Sequence, residues 1–539
     1  MPRATVAELL AGALAAQGVT RIFGVPGGGS SLDVIEAAAR EGIEFALTRS
    51  ETAAVMMAAA TADLSGTLGA ALTTKGPGVA NAANGMACAA LDRSPVMLIT
   101  DGFTARERRY VTHQVFDQQG MLAPVAKASS RLEKEDAAAE IRALIELAKT
   151  PPFGPVHVEI AGPHAGRTAA AAAEGFDPGK PQARIDRDAL IQAGELVRNA
   201  SRPVIVAGLE ARGPGVSRQL AILAESLRCP VLATYKAKGV LDDRHELNVG
   251  LFTGGNAESE CVEKADLIVL CGLDPVELLR IPWRYESPVV DIAEVRHPVH
   301  YVEPAAGVYG PIAGALAHLN RGLSRSGWEP AGIARLRQRL AARLEYPPCA
   351  GLAPQQVVEL AASAALDAGV SPRIAVDAGA HMFSAMAFWP AARPNDVLIS
   401  NGLATMAYAL PAAIASALHE PQRPAVAFTG DGGLLMCLGE LSVAAQERAR
   451  IVVIVFNDQS LSLIDIKQQQ RGLPPRGVRW RAPDFAMTME GLGGRGFRVD
   501  NAADYCAAVA EAFGHEGPSL IDARVNPQGY LAQMESLRG

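Results

Sequence analysis

The sequence predicts an α/β protein of three doubly wound domains, each built on a parallel sheet. Three observations carry this reading. The chain has 539 residues, and at about 100–200 residues per domain that length suggests three. Its first and last thirds alternate apolar runs of strand length with segments of helical period, the order that gives parallel sheets covered by helices. Two zones rich in Gly, Pro and charge, 174–182 and 322–330, interrupt the alternation and read as boundaries. The expected domains are 1–167, 185–330 and 353–539.

In the first domain, Thr5-Val6-Ala7-Glu8 reads as a capping box opening a helix over Thr5–Gln17. Arg3 and the Leu/Ala run beside it resemble a signal peptide, but Glu8 breaks the run, and a cytoplasmic protein is expected. A strand Arg21–Val25 leads to the loop Pro26-Gly27-Gly28-Gly29 and a helix Ser31–Arg40. A strand Phe45–Thr48 feeds a small-residue helix from Ser50 to about Leu64. The strand Ala70–Thr73 ends at Lys75-Gly76-Pro77-Gly78, and strands Val96–Thr100 and Val156–Ile160 follow. An alanine-rich stretch, Thr168 to Ala173, then leads into the first breaker zone as linker.

The middle domain is expected to carry buried strands at Pro203–Ala207, Pro230–Thr234 and Leu267–Cys271. Its glycines, Gly208, Gly213 and Gly215, only weakly suggest a dinucleotide site. Pro214 stands where a fingerprint helix would begin, and no ribose carboxylate follows. We read it as a structural Rossmann-like domain. The last domain again alternates, with strands Ile374–Val376 and Val397–Ser400 and a helix around Thr405–Leu418. Leu398–Phe456 echoes the order of Ala46–Thr100, as a duplication or a generic α/β order would.

Composition excludes several classes. Net charge is −7, so there is no basic footprint for nucleic acid. No apolar run approaches the roughly 18 residues of a membrane span. Seven cysteines lie scattered without a CxxC pair; this argues against a disulfide framework or a zinc site, and for reduced, buried thiols.

The most informative stretch is Pro424 to Gln470. A strand Ala425–Phe428 meets a glycine turn, Gly430-Asp431-Gly432-Gly433, then a helical segment Leu434–Gln446 and a second strand Ile451–Phe456 ending at Asn457-Asp458-Gln459-Ser460. Ligands of open parallel sheets sit outside the carboxyl ends of the strands. A diphosphate with a divalent cation would satisfy backbone N–H groups and both carboxylates together, Asp431, Asp458 and a main-chain carbonyl near Ser460 being the metal ligands. A plain βαβ unit whose Asp residues solvate loop ends shares the pattern of a lone GDG.

GDG followed some two dozen residues later by an ND strand end resembles the thiamin diphosphate motif. Other segments extend the match: Thr48-Arg49-Ser50-Glu51-Thr52-Ala53-Ala54; Thr74-Lys75-Gly76-Pro77-Gly78 with Asn81; Asp92-Arg93-Ser94-Pro95; and Gly402 to Ala413. Over nearly its full length the chain resembles the acetohydroxyacid synthase and pyruvate decarboxylase superfamily. The resemblance implies a pyrimidine-binding domain first and a diphosphate-binding domain last, both of thiamin diphosphate-binding fold. It also implies a homodimer or homotetramer with active sites shared between subunits.

It further implies roles for single residues. Glu51 matches the catalytic carboxyl beside the aminopyrimidine. Met406 matches the apolar wedge under the bent cofactor. Gly379, His381, Gly430, Asp431, Gly432, Gly433, Asp458, Ser460 and Leu461 fall in cofactor-binding positions. Gly27, Gly28, His113 and Gln114 fall near substrate; His113 is either a proton-transfer group or an ordinary loop histidine. Three departures stand out. Asp458 replaces the usual Asn. Lys467 replaces the tryptophan that selects the acceptor in acetohydroxyacid synthases; it is either a point charge for an anionic substrate or a solvated lysine. Gly272-Leu273-Asp274-Pro275 replaces an Arg-rich flavin segment, which argues against FAD. The expected cofactors are thiamin diphosphate and Mg2+. The expected activity is a carbon–carbon lyase or transferase on a 2-ketoacid or related carbonyl compound. The alternatives are a simple 2-ketoacid decarboxylase, a flavin-linked oxidase and a non-catalytic cofactor-binding paralogue.

Overall fold

The computed structural model describes residues 3–133, 136–170, 185–279 and 281–538. The strands in chain order are β1 (Arg3–Thr5), β2 (Arg21–Val25), β3 (Glu44–Leu47), β4 (Gly69–Thr73), β5 (Val96–Gly102), β6 (Ser129–Ser130), β7 (Val156–Ala161) and β8 (Thr168–Ala170). Next come β9 (Pro203–Ala207), β10 (Val231–Ala233), β11 (Asn248–Leu251), β12 (Leu267–Cys271), β13 (Val289–Ala293) and β14 (Ala306–Tyr309). The last group is β15 (Arg373–Val376), β16 (Val397–Ile399), β17 (Ala425–Gly430), β18 (Ile451–Asn457), β19 (Arg495–Val499) and β20 (Ser519–Arg524).

They build three six-stranded parallel sheets, ordered β3-β2-β4-β5-β7-β6, β11-β10-β9-β12-β13-β14 and β16-β15-β17-β18-β20-β19. This is the fold class that the sequence predicts. The central strands β5, β7, β12 and β18 are buried at every residue. Helices cover both faces of such sheets, so their strands read as unbroken apolar runs rather than alternating ones. Numbered within each sheet, the first and last share one order, 2-1-3-4-6-5, which fits the internal echo. The middle sheet has the 3-2-1-4-5-6 order of the Rossmann fold.

Three local expectations need correction. Thr168–Ala170 is strand rather than linker, pairing antiparallel with β1; the rest of that linker, from residue 171, lies outside the described residues. The helix placed at Thr405–Leu418 runs Ala409–His419. The segment Leu434–Gln446 is two helices, Asp431–Met436 and Glu440–Gln446. The cysteines are all free, but Cys349 and Cys437 are half-buried and Cys506 is exposed. No helix among the described residues is long and apolar enough to cross a membrane.

The small-residue helix Glu51–Ser65 packs against Ala409–His419 of the last domain. Ala53 to Ala60 are all buried, so small side chains allow the close approach, and Gly66 ends the helix in the left-handed conformation (φ +68°). A core side chain such as Met56 contributes about 1.5–3 kcal/mol by burial.

Where the domains meet lies a polar hub. Asp63 accepts from Arg212 Nη1 (3.0 Å), Lys236 Nζ (3.3 Å) and Ser94 Oγ (2.9 Å). Arg212 also donates to Asn395 Oδ1 (3.1 Å). Asp92 accepts from the main chain of Asn401 and Gly402, both at 2.9 Å. Arg93 forks onto Asp274 at 2.6 and 3.2 Å. Burial pushes Asp63 up, but Arg212 and Lys236 outweigh it and hold the carboxyl at about 2.

Candidate active site

The carboxyl edge of the last sheet is built from four strand ends. At the end of β15, buried Asp377 accepts from Ala407 N (3.1 Å), Tyr408 N (3.0 Å) and Thr429 Oγ1 (2.9 Å). These bonds hold the loop after β16 in place, with Ala404 and Ala407 in left-handed conformation (φ +53° and +68°). That is why no helix starts before Ala409. The loop carries half-buried Met406 to the same edge. Burial raises Asp377 to about 6 against the hydrogen bonds it accepts.

Beyond β17, the helix opens directly at Asp431, so Gly430-Asp431-Gly432-Gly433 is helix start rather than a separate turn. A Cβ on Gly433 would lie 2.2 Å from Asp377 Oδ2, and one on Gly432 would lie 3.1 Å from both Leu461 and Trp480. Only glycine fits the first of these positions. His381 stacks on Phe456 (5.1 Å, 23°). Its ring fills the space that a Cβ on Gly379 (2.6 Å) or Gly430 (3.4 Å) would enter. Burial pushes the imidazole down to about 4, so the ring is neutral above that pH, and its Nε2 is buried without a partner.

Asp431 and Asp458 stand at the ends of the adjacent strands β17 and β18. Asp431 Oδ1 accepts from Gly432 N (3.0 Å), whereas Oδ2 is buried and unpartnered. Asp458 accepts from Ser460 N (3.1 Å) and from Ser462 Oγ. Ser460 Oγ is likewise buried and unpartnered. Burial, and then the charge of Asp458, raises Asp431 to about 7; burial raises Asp458 to about 6. A buried and a half-buried carboxylate side by side, in no ion pair among the described residues, with polar atoms left open around them, fit a divalent cation and an anionic ligand. Trp480 lies over Gly432, and its Nε1 is also buried without a partner.

The first sheet supplies the other candidates. Glu51 opens the helix after β3, which Ser50 caps by accepting from Ala53 N (3.3 Å). The Glu51 carboxylate accepts from Asn81 Nδ2, and a Cβ on Gly78 would come within 3.2 Å of it. The helix behind it is dry, but Glu51 itself is half-buried in the single chain. Among the described residues no hydrogen bond or ion pair joins Glu51 to Asp431, Asp458 or Ser460. Gly27 sits where a Cβ would strike Asp101 Oδ2 (2.1 Å), while Gly28 faces open space. His113 and Gln114 are exposed; Gln114 is left-handed (φ +61°) and lies against Gly76. Lys467 is exposed on the helix Ser462–Gln470.

Two residues escape the sequence reading. Asp377 had a faint signal, an acid closing an apolar run as at Asp431 and Asp458. Trp480 had none, because its link to Gly432 crosses 48 positions and rests on the pairing of the irregular segment 471–480.

Comparison with known proteins agrees with this geometry. Three family profiles match: "Thiamine pyrophosphate enzyme, N-terminal TPP binding domain" over residues 4–121, the central domain over 190–319, and the C-terminal TPP binding domain over 377–523. The chain belongs to the thiamine pyrophosphate enzyme family. An acetolactate synthase of Bacillus subtilis is 27% identical, the match covering 96% of this chain and 93% of that one. A catabolic acetolactate synthase of Raoultella terrigena is 29% identical, over 97% and 96%. A probable 2-ketoarginine decarboxylase of Pseudomonas aeruginosa is also 29% identical, over 96% and 94%.

Proposed function

We propose that this protein is a thiamin diphosphate- and Mg2+-dependent carbon–carbon bond lyase or transferase acting on a 2-ketoacid or related carbonyl compound. The observation that supports it most is the pair Asp431 and Asp458, buried and half-buried at neighbouring strand ends, with Asp431 Oδ2 unsatisfied. A divalent cation held there would supply the missing partner and a charge for the diphosphate. Asp431, Asp458 and the main chain at Ser460 hold the cation. Gly430, Gly432 and Gly433 let the backbone come close to the anion, and Gly379, His381, Leu461 and Met406 wall the site. When bound, thiamin diphosphate supplies a carbanion that adds to a carbonyl carbon. Glu51 holds a proton at the aminopyrimidine, lent across a subunit boundary of a homodimer or homotetramer. Gly27, Gly28, His113, Gln114 and Lys467 line the substrate side. In this reading 1–167 is the pyrimidine-binding domain, 185–330 the central domain and 353–539 the diphosphate-binding domain, of a cytoplasmic protein.

The middle domain supports leaving FAD out. The loops after β9 and β12 are zipped together, Gly208 N donating to Cys271 O (2.9 Å) and Glu210 N to Gly272 O (3.0 Å). Glu277 takes the Leu209 N–H (2.8 Å). These bonds occupy the Gly208, Leu209 and Glu210 N–H groups that a dinucleotide at that edge would call on.

The test is a screen of 2-ketoacids for carbon dioxide release, with and without aldehyde acceptors. Release that depends on both cofactors is expected, with a ligated product when an acceptor is present. Release without any ligation would favour a second reading, a simple 2-ketoacid decarboxylase, which Lys467 in place of an acceptor-selecting tryptophan supports. No turnover on any ketoacid, with cofactor uptake intact, would favour a non-catalytic paralogue.

A further inference from the structure

The strap 471–480 crosses the diphosphate edge and is pinned there by main-chain bonds. Leu461 N donates to Val478 O (2.8 Å) and Trp480 N to Gln459 O (3.1 Å), with a bridge between Ser460 and Arg479. This pinning lays the Trp480 indole on Gly432. The ring atoms nearest a Cβ at Gly432 are Cη2 (3.1 Å) and Cζ2 (3.4 Å). Both are benzo-ring atoms, so that end of the indole meets the glycine, and Nε1 lies two bonds from Cζ2 along the same side of the ring. That N–H is shielded from water and has no protein acceptor. A buried donor without an acceptor is costly unless a ligand supplies one. The open polar atoms beside it, Asp431 Oδ2 and Ser460 Oγ, belong to the same edge.

We propose that Trp480 is a further cofactor-binding residue, its indole N–H donating to an anionic phosphoryl oxygen held over Gly432. This rests on the thiamin diphosphate reading above. A hydrogen bond to a charged oxygen is among the stronger ones, and the indole becomes a reporter of occupancy. The chain has four tryptophans; Trp328 Nε1 already donates to Pro203 O (2.8 Å).

The experiment titrates intact protein with thiamin diphosphate, and separately with inorganic pyrophosphate, each with excess Mg2+, following tryptophan fluorescence and calorimetric heat. Trp480→Phe removes the N–H together with the outer ring atoms that meet Gly432, whereas benzothienylalanine at 480 keeps both rings and removes only the N–H; an unchanged melting temperature without cofactor verifies the fold of each. The expected result is a fluorescence change in the wild type that Trp480→Phe lacks, with about tenfold weaker binding of both probes in each variant. Equal affinity in wild type and the benzothienylalanine variant would overturn the Trp480 assignment and leave the functional reading intact. Absence of thiamin diphosphate uptake by the wild type would overturn both.

Discussion

The first and last sheets share one strand order, yet their carboxyl edges are in opposite states. On the first, Asp101 and Glu51 have protein partners, although His164 Nδ1 beyond β7 is buried and unpartnered. Asp101 accepts from Ser30 Oγ (2.7 Å), Ser31 N (2.7 Å) and Ser31 Oγ (2.9 Å), and Glu51 is bonded by Asn81 while still partly open to water. On the last, Asp431 Oδ2, Ser460 Oγ, His381 Nε2 and Trp480 Nε1 are all buried and unpaired. Unpaired buried polar atoms are costly, so an edge that collects four of them is shaped for something that is not protein. In the proposed reading the same topology provides two halves of a site, one presenting an acid and the other taking an anion and a cation. The matching edge of the middle sheet has its Gly208, Leu209 and Glu210 N–H groups bonded within the protein and gathers Glu210, Asp274 and His297 instead.

Removing the cation's holder should break this contrast most severely. Asp431→Asn leaves the shape but halves the charge offered to the metal. Thiamin diphosphate uptake in calorimetry should weaken by about a hundredfold or more, since even partners one bond removed from a metal ligand cost 10–100-fold. Wild-type affinity in the variant would remove Asp431 from the clamp. Glu51→Gln attacks the other half. Uptake should stay near wild type while turnover falls by about 10²–10⁴-fold, the usual share of a positioned acid or base. A loss of uptake matching the loss of turnover would make Glu51 a binding group instead.

How much of this was legible in the chain follows from the range of the interactions. Parallel strands buried on both faces announce themselves, so β2, β9 and β12 fall where the apolar runs put them. Asp431 and Asp458 were visible because each closes such a run. Contacts spanning tens to hundreds of positions were not. Asp377 reaches forward to Ala407 and Tyr408 and delays a helix that propensity would start at Thr405. β1 pairs with β8 through small residues with no strand pattern. Trp480 gains its place only through strap pairing. Asp92 and Arg93 were noticed as part of a motif, and their contacts with Gly402 and Asp274 add a structural role at the domain junction.

That junction fixes how the two outer edges are held apart, and acid tests it. Asp63 sits at about 2 against an ordinary 3.8. A depressed carboxylate contributes stability that is complete above its unfolded value and is lost as pH falls toward the folded one. The contribution, about 2 kcal/mol at 1.36 kcal/mol per unit, should vanish between pH 4 and 2. In denaturant unfolding, the gap between wild type and Asp63→Asn should be flat above pH 4 and close below it. Removing the carboxylate leaves Arg212 and Lys236 buried without it, so at neutral pH the variant should be less stable by about that same 2 kcal/mol. A gap that persists at pH 2 would show that Asp63 acts through packing rather than charge.

The smallest expected effect sharpens the comparison at a single atom. Asp458→Asn removes one negative charge beside the proposed cation. Asn keeps an oxygen at the same place, so coordination survives; what goes is a charge facing Asp431 across the site. In the metal-free protein those two carboxylates repel, since Asp458 helps raise Asp431. With metal bound, the same charge attracts the cation. The variant should therefore lose Mg2+ more readily, a severalfold rise in the metal concentration needed for half-maximal thiamin diphosphate uptake, while the metal-free protein melts at the same or a slightly higher temperature. Identical metal dependence in the two proteins would mean that Asp458 holds its strand end through Ser460 and Ser462 and leaves the cation to Asp431.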